Sequence, residues 1–99
     1  MSEHIIKYTH IAAGQTDQAI ESGQSIRLYG FLVSGVGGAG TATFEVYNTS
    51  TVVATVPVIS GDTVDFHTPD PGVHLASGLQ VTTAANTEVT VIHSRGKVL

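Results

Sequence analysis

Short runs of β-branched and aromatic residues, divided by clusters of Gly, Asn, Asp and Ser about every ten residues, constrain the fold of this chain most strongly. Val and Thr, which dominate these runs, lose side-chain freedom on a helix and pack well on a pleated sheet. The apolar residues follow no sustained helical period. The pattern therefore predicts eight strands, in the runs at residues 4–12, 16–21, 25–34, 41–48, 51–59, 63–68, 75–83 and 87–94.

This spacing of short strands is typical of an antiparallel sandwich or barrel. The chain has 99 residues, which is enough for one hydrophobic core and leaves no room for a second. We therefore predict an all-β fold with a single domain over residues 1–99, an eight-stranded antiparallel sandwich of the jelly-roll type. An immunoglobulin-like sandwich is the alternative.

The run at residues 25–34 carries apolar side chains on both faces of the predicted strand. Simple alternation places Tyr29, Phe31 and Val33 on one face. The opposite face then carries the remaining large aliphatic residues, Ile26, Leu28 and Leu32. A strand that is apolar on both faces is covered on both sides. We expect Tyr29, Phe31 and Val33 to face another subunit, unless the same chain covers them.

Charged residues are scarce in this sequence. Asp, Glu, Lys and Arg make up 12% of the chain, against about 25% in a typical soluble domain. Because a small protein has a large surface for its volume, the shortage predicts that another subunit covers part of that surface. A monomer with a neutral surface rich in Thr, Ser, Asn and Gln is the alternative.

The charge balance and the apolar runs exclude several classes of partner. The net charge is −4, and no basic cluster is present to bind phosphates, so we predict no nucleic-acid partner. No apolar run approaches the roughly 20 residues of a membrane-spanning helix, and the first residues lack the pattern of a signal peptide. With no cysteine there is no disulfide or thiolate chemistry. We expect a soluble chain made in a cytoplasm, without a membrane partner.

The sequence holds no convincing catalytic or metal-binding pattern. His67 and His74 flank a Pro/Gly loop with Asp65 and Asp70 nearby, a set of groups that can bind a divalent ion. Jelly-roll metalloenzymes, however, use a His-x-His pair on one strand, and none occurs here. The sequence also lacks a Gly-x-Ser-x-Gly motif and a glycine loop followed by Lys-Ser/Thr. We therefore predict that the chain is not an enzyme and has no metal site and no cofactor; a small metal-dependent jelly-roll enzyme is the alternative.

Two stretches of the chain together show a pattern of strands and turns that is seen in other proteins, SIRLYGFLVSGVGGAGTATFEVYNTSTVVATVPVISGDTVDF and GVHLASGLQVTTAANTEVTVIH. They contain an apolar central strand, a Gly-Asp turn and a closing Gly-Leu-x-Val hairpin rich in Thr, and they cover most of residues 25–94. In these features the chain resembles small all-β virion proteins of tailed bacteriophages. The resemblance implies a structural virion protein with no catalytic residues.

Among such proteins, the resemblance favours a capsid decoration (cement) protein that binds and stabilises the assembled shell. Similar proteins often form trimers over capsomer junctions, so it implies a homotrimer, located in the virion, with the major capsid protein or another virion protein as partner. The alternative is a small tail, fibre or head–tail component that binds a receptor or a glycan. An exposed contact could use the three tyrosines, Tyr8, Tyr29 and Tyr47. Because tyrosine is enriched at protein interfaces, a protein partner is favoured over a sugar.

A decoration protein stabilises a shell because it binds the assembled lattice and not the free subunits. We expect the contacts to lie on two arms, at residues 1–7 and 95–99, and on the central strand. The residues predicted to make them are Ile5, Tyr8, Tyr29, Phe31, Val33, Arg95, Lys97 and Leu99.

Overall fold

Two antiparallel sheets pack face to face in the computed structural model, which describes residues 6–69 and 72–95. These residues form the nine strands β1 (Lys7–Ile11), β2 (Gln18–Ile20), β3 (Ile26–Gly35), β4 (Gly40–Val46), β5 (Val52–Val58), β6 (Thr63–His67), β7 (Val73–Leu75), β8 (Leu79–Thr83) and β9 (Thr87–Arg95). One sheet has the order β1-β9-β3-β6, with β7 also paired to β3, and the other has the order β2-β8-β4-β5. Among the described residues, no helix is long and apolar enough to cross a membrane.

The strands pair as a nested set. β1 pairs with β9, β2 with β8, β3 with β6, and β4 with β5, all antiparallel. Successive pairs alternate between the two sheets, as they do when one long hairpin is rolled around a core, and this is the jelly-roll arrangement. The predicted all-β sandwich is therefore confirmed, and the immunoglobulin-like alternative does not describe this topology.

The prediction of eight strands differs from the structure in one segment. The run at residues 75–83 is broken by a turn at Ala76 and Ser77, so only β8 belongs to it as a full strand. Before that turn lies β7, which pairs with residues 26–28 of β3. The ladder of β3 thus continues past the end of β6, and β6 and β7 follow one another along the same side of β3.

The hydrophobic core lies between the two sheets. Its members are the inward-facing side chains Ile11, Ile20, Ile26, Leu28, Phe31, Val33, Ala42, Phe44, Val58, Leu79, Val81, Val89 and Val91. The rings of Phe31 and Phe44 stack across the interior with their centroids 4.2 Å apart. Burial of one large apolar side chain contributes about 1.5–3 kcal/mol, so this set supplies the main force that holds the sheets together.

A β-bulge in β3 corrects the predicted faces of that strand. The register with β9 shifts between Leu28 and Gly30, so Tyr29 is an extra residue and alternation restarts after it. Leu28 and Phe31 consequently both point into the core. Phe31 is 4% exposed and Val33 is completely buried, so the same chain covers them. The expectation that these two side chains face another subunit is therefore wrong.

Candidate functional site

An apolar groove opens along the side of the sandwich where the edge strands β5 and β6 lie over one another. It has a volume of about 410 Å³. Its lining residues are Leu28, Phe31, Val53, Ala54, Val56, Val64, Asp65, Phe66, Thr68 and Val73. Leu28 and Phe31 are core residues and form its floor, whereas Val53, Val64, Phe66 and Val73 form exposed walls. The hydrophobic core is thus open to the surface on this side.

Phe66 is the most prominent side chain of the groove. Its ring stacks on Phe31 with the centroids 5.0 Å apart, and Phe31 in turn stacks on Phe44. Phe66 is nevertheless 45% exposed. A row of three aromatic rings therefore runs from the centre of the core to the surface. An exposed apolar patch continuous with a core is a feature of interaction surfaces.

The local sequence explains why β6 presents this surface. In the register with β3, Val64 lies opposite Val33 and Phe66 opposite Phe31, so both share the inward face. Asp65 and His67 alternate with them and point outward, where the Asp65 Oδ1 and His67 Nε2 atoms are 2.6 Å apart. The second sheet ends at β5, so no strand of it covers the inward face of β6 fully. All five residues of β6 are exposed to some degree.

A polar pocket lies near the turn between β4 and β5. Its lining residues are Asp17, Glu45, Asn48, Thr49, Ser50 and Gln80, and its volume is about 460 Å³. Gln80, only 6% exposed, organises it: its Nε2 donates to Asp17 Oδ1 at 3.3 Å and to Glu45 Oε1 at 3.2 Å. Its Oε1 accepts from the backbone N–H of Asn48 at 3.0 Å. The pocket presents carboxylate and amide groups suited to a ligand with hydroxyl groups.

His93 is buried on the inward face of β9. Its Nε2 lies 2.7 Å from Thr9 Oγ1, and its Nδ1 has no hydrogen-bond partner among the described residues. Burial lowers the pKa of His93; the charge of Glu21 opposes this shift and the charge of Lys7 adds to it. A completely buried, neutral imidazole with one hydrogen bond is a core residue, and it does not reach the surface as a catalytic base would.

The structure does not assemble the histidine and carboxylate groups considered for a metal. His67 contacts Asp65, whereas His74 lies on β7, opposite Arg27 in the register with β3. Asp70 lies outside the described residues. Over residues 6–69 and 72–95, no three His, Cys, Asp or Glu side chains come close enough to hold a metal ion.

The predicted contact residues are dispersed over the molecule. Tyr8 is 70% exposed on the opposite edge strand, β1, and Tyr29 is half-buried at the bulge. The backbone of Arg95 ends β9. Three of the predicted residues lie outside the described part of the chain, namely Ile5, Lys97 and Leu99. The contact arms at residues 1–7 and 95–99 therefore fall almost entirely outside the description.

Sequence reasoning did not identify the groove. In the sequence, Val64 and Phe66 alternate with Asp65 and His67, which is the signal for an apolar strand face, but such a face is interpreted as core by default. Their exposure depends on how far the second sheet extends across β6, and a strand pattern does not contain that information.

Comparisons with known proteins identify no family for this chain. No protein-family model matches it, and no curated protein is found to be similar to it. The resemblance to virion proteins of tailed bacteriophages therefore stays a prediction.

Proposed function

We propose that this chain is a structural subunit that acts by packing into a larger protein assembly, most specifically a capsid decoration protein of a tailed bacteriophage. The observation that supports this best is the open apolar groove between β5 and β6, with Phe66 exposed at its wall. Exposed apolar surface of this kind marks contact with another protein or a membrane. The shortage of charged residues points to protein contact over a broad neutral surface.

The proposed mode of action is stabilisation by mass action. A subunit that binds the assembled shell, and has no affinity for the free capsid protein, shifts the equilibrium toward the shell. Neutral contacts suit this role because they remain effective at high ionic strength, whereas contacts between exposed charges are screened by salt. In this proposal the chain binds as a symmetric oligomer and its location is the virion.

Co-sedimentation tests the proposal. The purified chain is mixed with empty shells of the phage's major capsid protein and, separately, with the same protein held as free subunits. We expect the chain to pellet with shells at a fixed ratio, to raise the temperature at which they open, and to leave free subunits unbound. Binding to neither form, or equal binding to both, contradicts the decoration role.

A matched pair of variants assigns the contact to the groove. Val64 lines the groove, and Val36 is exposed in the loop between β3 and β4, outside it. Val64→Ser is expected to weaken shell binding, because it removes apolar surface from the contact. Val36→Ser removes the same surface elsewhere and is expected to leave binding unchanged. Equal effects of the two substitutions contradict a role for the groove.

The polar pocket around Gln80 supports a second candidate, a glycan-binding module of a tail or fibre. Carboxylates of Asp17 and Glu45 converge there on the side-chain amide of Gln80. Carboxylate and amide groups suit the hydroxyl groups of a sugar. Binding to a glycan array that is lost in Glu45→Gln supports this candidate, and no binding to any glycan contradicts it.

A further inference from the structure

β6 ends the sheet order β1-β9-β3-β6, and no described strand pairs with its outer edge. We propose that β6 of one copy pairs antiparallel with β6 of a second copy, with Phe66 opposite Phe66, and that this contact closes the apolar groove. The inference goes beyond the proposed function because it concerns the free protein and requires no capsid. Since it uses the groove proposed for the shell contact, the two contacts exclude each other, and the dimer dissociates before the chain binds a shell through this groove.

Among the edge strands that the structure describes, only β6 has more than three residues with no proline, no bulge and no inward-pointing charge. Edge strands that remain single are blunted by proline, by bulges, by inward-pointing charges or by short length. β5 carries Pro57 and a register shift opposite Phe44 and Glu45, and β2 has only three residues. β1 carries Lys7, which lies opposite the buried His93 and so on the inward face. β6 has the sequence TVDFH and an unbroken register with β3.

The backbone groups of β6 define which residues are free to pair. The N–H of Gly35 donates to the carbonyl of Asp62 at 3.0 Å, and the N–H of Thr68 donates to the carbonyl of Tyr29 at 2.8 Å. Residues of an antiparallel strand direct their backbone groups alternately to either side. The backbone groups of Asp62 and Thr68 point toward β3. Those of Thr63, Asp65 and His67 therefore point away from β3, in the plane of the sheet, and no described strand pairs with them.

Charge selects the register between the two copies. A two-fold axis through Asp65 would place two carboxylates opposite each other, and like charges in that position are destabilising. An axis through Phe66 instead places each Asp65 opposite His67 of the second copy. In each of the two Asp65–His67 pairs the residues can exchange two N–H···O bonds, because their backbone groups point away from β3 toward the second copy. The carboxylate then faces an imidazole on the outer face of the joined sheet.

The apolar side chains favour the same register. Phe66 and its copy form the non-hydrogen-bonded pair, in which Cα atoms are only about 4.5 Å apart and side chains pack most closely. Both rings, and both Val64 side chains, lie on the inward face, where they cover the open side of both grooves. Pairing of β6 with β1 of the second copy would instead place Val64 and Phe66 against Lys7 and Thr9 on the inward face. The second copy's β6 is therefore the better match.

Light scattering of the purified chain across a dilution series tests the contact. We expect a dimer of twice 10.3 kDa that dissociates on dilution. Asp65→Lys places two cations near His67 and is expected to weaken the dimer at least ten-fold. The double variant Asp65→Lys/His67→Glu places an opposite-charge pair at these two positions and is expected to recover the dimer. A monomer at all concentrations, a trimer, or a dimer unaffected by Asp65→Lys overturns the proposal.

Two controls make the result specific. Glu88→Lys reverses the charge of an acid on β9 whose Oε1 lies 2.9 Å from His10 Nε2 on β1. These two strands lie away from the β6 edge, so the substitution is expected to leave the dimer intact.

The chain has no cysteine, so a single introduced thiol reports the register between the two copies. Phe66→Cys is expected to give a disulfide-linked dimer on mild oxidation, because Cβ atoms in a non-hydrogen-bonded pair lie within reach of a disulfide. Val36→Cys is expected to form no disulfide-linked dimer under the same oxidation, and equal cross-linking of both variants overturns the register.

Discussion

Gly30 of β3 lies directly against the carbonyl oxygen of Phe66 on β6. A Cβ at Gly30 would overlap this oxygen and would come within 3.2 Å of the Cα of His67. Gly30 also follows the bulge at Tyr29, where the register of β3 changes. The absence of a side chain at this one position therefore allows β6 to approach β3 closely enough to pair, and so positions the groove wall.

We expect Gly30→Ala to lower the free energy of unfolding by about 1–3 kcal/mol, because the backbone of β6 must move to accommodate the methyl group. Urea denaturation measures the change. Gly37→Ala is the control: a Cβ there meets nothing within 4 Å, but the backbone has φ +81°, so a cost of about 1 kcal/mol is expected. A loss at Gly30 no larger than that at Gly37 contradicts the close-approach argument.

The bulge also shows where strand alternation stops being informative. The predicted faces of β3 were right up to Leu28 and wrong from Phe31 onward, because Tyr29 adds one residue. Since both faces of this run are apolar, alternation alone gives no sign of the change. Gly30 is the sign that the sequence does contain, because a glycine inside a strand often marks a bulge or a close backbone approach.

Strands with one polar face were predicted well. In the predicted strands at residues 75–83 and 87–94, alternation with polar residues gives Leu79 and Val81 one shared face and Val89 and Val91 another, and all four are buried. Their neighbours along each strand are mostly polar, so only one register buries the apolar side chains. The exposure of Phe66, by contrast, depends on the width of the opposite sheet, which is a property of the whole topology. This is why the fold could be predicted and the groove could not.

Stability is expected to fall in mild acid because of His93. Burial lowers its pKa below the ordinary value of 6.5, so the unfolded chain binds a proton that the folded chain excludes. The stability that the folded chain gains from a neutral His93 is fully present above pH 6.5. It is lost as the pH falls from 6.5 toward the lowered pKa of His93 in the folded state. Each pKa unit of lowering corresponds to about 1.4 kcal/mol. Urea unfolding at a series of pH values between 8 and 5 measures the loss.

The matched variant for this prediction is His93→Gln, which removes the titrating group and retains an amide that can bond Thr9. It is expected to be less stable than the parent at pH 8, and to lose less stability on acidification. A variant that shows the same slope as the parent between pH 6.5 and 5 would assign the acid sensitivity to other groups.

Gln80 is expected to stabilise the turn between β4 and β5. Gln80→Leu removes the acceptor of the Asn48 N–H and is expected to cost about 1–3 kcal/mol, because that donor loses its partner. Gln80→Glu places a third carboxylate beside Asp17 and Glu45, so at pH 7 it is expected to cost more than Gln80→Leu. Protonation relieves the repulsion, so the difference between the two variants should shrink at pH 4. Equal stabilities at pH 7, measured by urea denaturation, contradict this account of the pocket.

Thr87 offers a site where the chain can be made more stable. Its side chain is completely buried over Gly40, and its Oγ1 has no hydrogen-bond partner among the described residues. An unsatisfied buried polar group costs about 1–3 kcal/mol, and valine has nearly the same shape as threonine. We therefore expect Thr87→Val to raise the free energy of unfolding by about 1 kcal/mol in urea denaturation. As a control, Thr87→Ser keeps the hydroxyl but removes the methyl group, and it should lower the free energy of unfolding by a similar amount. A destabilised Thr87→Val variant would contradict the prediction, because it would show that the hydroxyl is hydrogen-bonded.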